Sequence, residues 1–401
     1  MGQTGPQKPQ KVIHVTSGHG AFDSRIFVKE CCSLAKAGFE THLVIPGSEN
    51  GLLSGVNVHG VSTKWRTRWE RFTSTGKAVI DRAIELDGDV YHLHDPTLLP
   101  FARTLKKLGK KVIYDSHEDF PLQTLSKEFI PAGLRYMASI GVRHFENFFA
   151  RYIDAVVTAT PSISLRFQSF GVDVVNVNNF PIIEELFAPA DVSWESRQQA
   201  VCYIGGIARI RGIFEMVQAM EKINGILYLA GTMPAEIRKD VEATSGWSHI
   251  EEMGFVGRER VRKILEKSRA GLVLLHPVPN YIESLPIKMF EYMSAGLPVI
   301  CSDFSFWRKI VQQNHCGLCV DPRKPKEISD AISFILSEPE KAEKMGKAGL
   351  EIVRKHYNWQ SEEQKLIQLY RKVCFGEELK LAPNAVLAEL RMESDPRKSI
   401  R

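Results

Sequence analysis

The stretch "ESLPIKMFEYMSAGLPVI", Glu283 to Ile300, sets two carboxylates and an amine among residues that otherwise read as core. Glu283 and Glu291 have seven residues between them, and Lys288 is one of the seven. Pro286 suits a helix start, since its missing N–H would be unpaired there anyway. Gly296 is placed to stop the helix, and Pro298 leads into the apolar run that follows. Glu283 then lies in the loop before the helix, while Lys288 and Glu291, three apart, share one face of it. Glu291 sits about 8 Å along the axis from the helix start, at roughly 1.5 Å per residue. A helix N-terminus beside an amine suits a diphosphate. A carboxylate on each side suits a polyol, because each can accept two hydroxyl hydrogen bonds. Sugar, diphosphate and ribose, in that order, describe a nucleotide sugar.

Other chemistry-bearing phrases stand at the ends of apolar runs. "YIGGIARIRGIFEM" brings Gly205 and Gly206 to a strand end, with Arg209, Arg211 and Gly212 at the next helix start. Backbone N–H groups and guanidinium forks together suit a diphosphate; solvated arginines on a surface turn are the plainer alternative. In "SGHGAFDSR", Gly18 and Gly20 flank His19, and Asp23 and Arg25 follow. This suits a phosphate or another anion, and a simple tight turn explains it equally well. "YHLHDP" supplies His92, His94 and Asp95, and "YDSHE" supplies Asp115, His117 and Glu118. Two strand ends that each offer a histidine beside an acid favour function over core. They give no clear coordination geometry and no cysteine joins them, so no metal site is expected. The 7 cysteines are odd in number and scattered, and "CGLC" (Cys316, Cys319) lacks a second pair at zinc spacing. Buried thiols in a reducing compartment are the expectation.

The elements that must position these groups alternate strand and helix. "KVIHVTS", "THLVIPG", "DVYHLHDP", "KKVIYDSHE" and "DAVVTATP" read as short buried strands. "DSRIFVKECCSLAKAGF" reads as a helix capped by Asp23 or Ser24, with Ile26, Phe27, Cys31, Leu34 and Ala35 as its apolar stripe. A polar, proline-containing stretch from about 176 to 200 breaks the pattern. The alternation then restarts with "AVCYIGG", "GILYLAG", "IEEMGFVG", "AGLVLLHP", "LPVICSD" and "CGLCVDP". The expected fold class is α/β, with two doubly wound parallel-sheet domains. Ligands of such sheets sit outside the carboxyl ends of the strands, where the phrases above fall.

Taken together, these phrases resemble the retaining glycosyltransferases of family 4, whose GT-B fold has two facing Rossmann-like domains and an E-x7-E motif. The resemblance runs from about Lys11 to Val373 and includes "GG…RG", "LAG", "MGFVG" and "YNW". "FDSRIF", "HDPTLLP" and "YDSHE" are similar to a subgroup of bacterial polysaccharide assembly. It implies an acceptor-binding domain over 1–190 and a nucleotide-sugar-binding domain over 191–358. A helix over 359–375 would cross back to the first domain, and 376–401 would be a peripheral tail. By resemblance, Glu291 holds the ribose and Glu283 the donor sugar. Arg211, with Arg209 and Lys288, holds the diphosphate; the family's usual arginine is replaced by Gly206. Gly254 and Phe255 meet the base, and Ser284, Leu285 and Pro286 complete the donor loop with Gly18 and Gly20. His117 approaches the transferred sugar and is grouped with Glu283 and Arg211 as catalytic. Asp23, Arg25, His94, Asp95 and Glu118 form the acceptor side. No cofactor and no obligatory metal are implied. The donor is a UDP-sugar by preference, with a GDP-sugar as the second choice. The acceptor is a glycan or lipid-linked sugar in cell-surface polysaccharide synthesis. A non-catalytic nucleotide-sugar-binding scaffold and an epimerase of the same fold are the alternatives.

Composition narrows the partners. The chain has 401 residues, 44% hydrophobic and 25% charged, with a net charge of +5, which suits a globular protein of two domains. The basic runs are short and local, so nucleic acid is not an expected partner. No apolar run is long enough to span a membrane, and "MGQTGPQKPQ" has no signal-type apolar region. Cytoplasmic residence is expected. "TKWRTRWERF" (Thr63–Phe72) and "RTLKKLGKK" (Arg103–Lys111) mix cations with apolar side chains, which suits peripheral contact with an anionic membrane at the inner face of the plasma membrane. A solvated loop and helix face is the equal alternative. "FIPAGLRYMASIGVRHFENFFARY" (Phe129–Tyr152) could dock there too, but reads first as a buried helix.

Overall fold

The computed structural model describes residues 9–20, 22–63, 74–127, 130–186 and 193–380. Lys64 to Phe72 of the first basic run, Phe129, and the tail beyond 380 lie outside the described residues. The chain divides into two compact units. One is built from residues up to Asn179 and from Glu362 onward, the other from Phe180–Ser361.

The first unit holds strands β1 (Lys11–Val15), β2 (Glu40–Pro46), β3 (Gly51–Leu53), β4 (Val56–Val61), β5 (Val90–Leu93), β6 (Lys111–Ser116), β7 (Ala155–Thr158) and β8 (Asp173–Asn176). They pair in the order β3-β4-β2-β1-β5-β6-β7-β8, and only β3 runs antiparallel to its neighbour. The order reverses between β1 and β5, where Val12 pairs with Val90 and Val15 with Leu93. One face buries Ile13, Val15, Tyr91, Leu93, Val112 and Tyr114 under helices, and a second cluster packs Leu43 and Ile45 against Ile26, Phe27 and Cys31.

The second unit holds β9 (Ala200–Ile204), β10 (Ile226–Ala230), β11 (Ile250–Gly254), β12 (Ala270–Val273), β13 (Val299–Ser302) and β14 (Gly317–Val320). Their order is β11-β10-β9-β12-β13-β14, all parallel, with the reversal between β9 and β12. At both reversals the crossover helices leave to opposite faces, which opens a crevice at the carboxyl ends. Each unit therefore has one natural ligand site, and the polar phrases of the sequence fall at those two places. The helix Trp359–Phe375 starts in the second unit, and from Glu362 onward it belongs to the first.

Two elements differ from expectation. The helix after Asp23 opens as a π-helix, Ser24–Cys31, before settling to α over Cys32–Lys36. The helix Ala132–Ala150 is not buried: only Glu146 and Ala150 are buried along it. Its inward face is held by polar groups, with the Glu146 carboxylate accepting from Arg166 Nη1 at 2.7 Å and from the Tyr114 hydroxyl at 3.3 Å. Phe149 packs against the core, whereas Leu134, Tyr136, Met137, Ile140, Phe145 and Phe148 are exposed.

Candidate functional sites

At the carboxyl end of β9 the chain turns through Gly205 and Gly206. The carbonyl of Gly206 accepts from Tyr203 Oη at 2.8 Å and from Arg211 Nη1 at 3.0 Å. A Cβ on Gly205 would stand 2.9 Å from Lys288 Nζ, and one on Gly206 would stand 2.9 Å from Arg211 Nη1. The two glycines are thus a floor beneath two cations. Gly212 is left-handed and a side chain there would collide with the Leu274 carbonyl, which fixes Arg211 at this end of the sheet.

Lys288 lies on the helix Ile287–Ser294, which starts after Pro286 and stops at Ala295, with Gly296 left-handed behind it. Its ammonium is buried, has no hydrogen-bond partner, and sits 3.8 Å from the centre of the Tyr203 ring. Burial, then the charge of Arg211, lowers its pKa to about 7. A buried cation without an acceptor, beside a guanidinium and over bare backbone, suits an anion.

The two glutamates behave differently. Glu283 is exposed in the loop before the helix. Glu291 is nearly buried, and its Oε1 accepts from Arg258 Nη1 at 2.7 Å, while Arg258 also reaches Glu185 at 2.9 Å. Arg258 was invisible in the sequence, because it lies 33 residues from Glu291 on a helix of many charges. Ser284 is tied down: its hydroxyl donates to the Tyr281 carbonyl, and its own carbonyl accepts from Trp307 Nε1 at 2.7 Å. Leu285 and Pro286 complete that fixed loop. Gly254 ends β11 with a left-handed backbone, and Phe255 beside it is 86% exposed. Arg209, expected at the phosphates, has partners of its own here. Its guanidinium lies over the Phe214 ring at 4.1 Å and pairs with Asp240 at 3.5 Å.

In the first unit, residues from five elements, β1, the π-helix, β5, β6 and the helix Trp359–Phe375, meet near the carboxyl ends of β1, β5 and β6. Asp115 accepts from Arg25 Nε and Nη2, both at 2.9 Å, and lies 2.8 Å from His117 Nε2. His94 Nδ1 is 3.2 Å from His117 Nε2, and His94 Nε2 is 2.8 Å from His14 Nδ1. Tyr370, on the last helix, reaches His92 Nδ1 at 2.7 Å and His14 Nε2 at 3.3 Å. The wider i→i+5 winding of the π-helix brings Arg25 and Glu30 together, with Nε 3.0 Å from Oε1.

Burial pushes Asp115 up, but Arg25 and His117 overcome it and hold the carboxyl well below its ordinary range. Burial and then the Asp115 charge push Glu30 well above its range, with Arg25 offsetting only part. Burial, seconded by the neighbouring imidazole of His94, keeps His14 and His92 well below theirs. His94 falls to about 4, driven by burial against the pull of Asp115.

Three residues expected on the acceptor side are engaged within the unit. Arg25 is buried, with Nε and Nη2 on Asp115 and Nη1 on the Val177 carbonyl at 2.8 Å, so it braces the interior. His94 is buried with both ring nitrogens engaged. Glu118 turns outward and accepts from Gln123. Asp23 caps the π-helix through Arg25 N and Ile26 N and lies 3.4 Å from His19 Nδ1. Asp95 accepts from Ser17 N at 2.6 Å and lies 3.6 Å from His19 Nε2. The N–H groups of Gly18 and His19 are turned onto Thr16 Oγ1, so this glycine turn does not aim them at an anion.

His14, Glu30, His92 and His94, and separately His94, Asp115 and His117, bring ligand-type atoms within 4.8 Å of one another. The sequence placed these residues on separate strands and, for Glu30, on a helix, and did not foresee the convergence. The His92 and His94 rings, and the His14 and His94 rings, stack rather than point at a shared centre, and Arg25 already neutralises Asp115.

The chain matches two family models, "Glycosyltransferase Family 4" over residues 25–179 and "Glycosyl transferases group 1" over residues 187–351. It is 25% identical over 182 residues to the alpha-D-kanosaminyltransferase of Streptomyces kanamyceticus, covering 43% of this chain and 45% of that protein. The chain spans about half the length, or less, of several curated relatives it matches. Sucrose-phosphate synthase from Thermosynechococcus elongatus superposes with a TM-score of 0.75 at 19% identity, over 92% of this chain and 100% of that one. Anabaena HepE in complex with UDP and glucose gives a TM-score of 0.69 at 12% identity, over 90% of this chain and 100% of that one.

Proposed function

The chain belongs to the family 4 type of glycosyltransferases with the GT-B fold, and from that premise we propose that it transfers a sugar, with retention, from a nucleotide diphosphate donor to a glycan or lipid-linked acceptor. The observation that carries this is the buried, partnerless Lys288 ammonium beside Arg211 over the Gly205–Gly206 floor. It suits a group with dense negative charge and close approach to backbone, as a diphosphate has. Glu291, steadied by Arg258, is the ribose contact. Glu283, exposed beside that site, is the donor-sugar contact, and Gly254 and Phe255 take the base. His117, with His19, Asp23 and Asp95 nearby, is the first unit's contact to substrate; Gly18 and Gly20 leave room there. A UDP-sugar is favoured, and the UDP complex of the structural neighbour HepE supports that choice.

In the reaction, the bond from the sugar C1 to the diphosphate oxygen breaks, and the diphosphate leaves with the electron pair. The acceptor hydroxyl adds to C1 on the same face, and its proton passes to the departing phosphate. Charge builds on the leaving group, and Arg211 and Lys288 are placed to stabilise it, so no obligatory metal is invoked. Arg211→Ala and Glu283→Ala should each reduce turnover about 10²-fold or more with the fold intact. The check is release of nucleoside diphosphate from UDP-sugars and GDP-sugars with isolated lipid-linked acceptors. Near-native turnover in either variant would contradict the assignment.

The proposed acceptor setting is an anionic membrane surface, met peripherally from the cytoplasmic side. No described helix is long and apolar enough to cross a membrane. The helix Ala132–Ala150 supports a surface contact. Leu134, Tyr136, Met137, Ile140, Phe145 and Phe148 are exposed along it, with Tyr136 at 70% and Met137 at 68%. Its only carboxylate, Glu146, is buried against Arg166, whereas Arg143 is exposed. An apolar outer face with cations and no exposed acid suits anionic lipid.

A further inference from the structure

We propose that Asp115 is the positioning residue for His117, fixing its tautomer with the proton on Nε2 and leaving Nδ1 bare to accept from a substrate hydroxyl. This rests on the reading of His117 as a substrate contact. Asp115 is the last residue but one of β6, in register with Val157 of β7, and is wholly buried. His117 stands two residues on, where the chain leaves the sheet, and is partly open to solvent. The Nε2 of His117 lies 2.8 Å from Asp115 Oδ2, so a proton on that nitrogen has a buried carboxylate to donate to.

The carboxylate cannot swing away. Arg25 grips both of its oxygens, and Arg25 is itself anchored on the Val177 carbonyl and beside Glu30. The π-winding of Ser24–Cys31 aims both Arg25 and Glu30 at this point. His94 Nδ1 closes the remaining side, at 3.4 Å from the same Oδ2 and 3.2 Å from His117 Nε2. A ring held in this way presents one defined atom, Nδ1, outward. Such pairing of an imidazole with a fixed carboxylate sets orientation as well as protonation, and a misplaced contact can cost about 10²-fold in rate.

The test is ¹⁵N imidazole spectroscopy on protein labelled at histidine, with His117 assigned from its loss in His117→Gln. The expected native signal has a protonated Nε2 and a pyridine-type Nδ1. In Asp115→Asn that signal should shift toward a mixture of tautomers, kcat should fall about 10²-fold, and stabilisation by nucleoside diphosphate should be unchanged. A native proton on Nδ1, or no spectral change in Asp115→Asn, would overturn the proposal. Should Asp115→Asn fail to fold, the native spectrum alone decides. The tautomer does not depend on any donor, so absence of transfer activity with a protonated Nε2 would count against the enzyme reading and leave the positioning intact.

Discussion

Lys288 is where the chemistry of a single residue becomes measurable. Its ammonium is buried without an acceptor, and its pKa is lowered to about 7 by burial and by Arg211. The unfolded chain, with an ordinary lysine near 10.5, binds more protons than the folded one between about pH 7 and 10.5. The stability lost to this residue is therefore present in full below about pH 7 and is relieved as pH rises toward 10.5. Lys288→Met should raise the melting temperature at pH 6, by about 2–4 °C for each kcal/mol recovered, and the gain should shrink by pH 10. A diphosphate should restore the charge. Its binding at pH 8 should then take up a proton in the native protein and none in Lys288→Met, as calorimetry in buffers of different ionisation enthalpy would report. Equal proton uptake in both would place the diphosphate elsewhere.

The elements show what could be read beforehand and what could not. Apolar runs bounded by glycine, proline and polar residues located the helix between Pro286 and Gly296 and all six strands of the second unit, because each run is short and continuous, and β9, β10, β12 and β13 are largely buried on both faces. β3, β4 and β8 escaped notice: "GLL" is exposed throughout, in "VNVHGV" only Val56 and Val58 are buried, and "DVVN" is four residues long and half buried. The π-turn at Ser24–Cys31 could not be foreseen, since Arg25, Lys29 and Glu30 look like a solvated face; Arg25 and Lys29 are buried on partners far along the chain, Asp115 and Asn179, and Glu30 is buried beside Arg25. The same limit concealed Arg258 beside Glu291 and Tyr370 beside His92. Helix Ala132–Ala150 misled in the opposite direction, as its apolar content suggested core. On the membrane reading, Met137→Glu with Ile140→Glu should leave the fold and nucleotide binding unchanged. Sedimentation with vesicles rich in anionic lipid should drop about tenfold or more, since two apolar contacts are lost and two like charges are added. Undiminished sedimentation would remove this helix as the docking element.

At the scale of the molecule, two parallel sheets each bring one reversal of strand order to the surface, and each reversal carries a different chemistry. The second unit gathers cations over glycine, fit for an anion. The first gathers histidines and carboxylates in a hydrogen-bonded nest, fit for hydroxyl groups. A mild net charge of +5 accords with an anion site confined to a few residues rather than spread over a face. The most direct measurement of this division is thermal denaturation with UDP, GDP, ADP, TDP and CMP at saturation, in native protein and in Arg211→Ala. One nucleoside diphosphate, UDP by preference, should stabilise the native protein by about 2.7 kcal/mol at 100 times its Kd, and Arg211→Ala should lose most of that gain. Absence of stabilisation by every nucleotide, or an equal gain in the variant, would contradict the claim that the Gly205–Gly206 floor with Lys288 and Arg211 is the donor site.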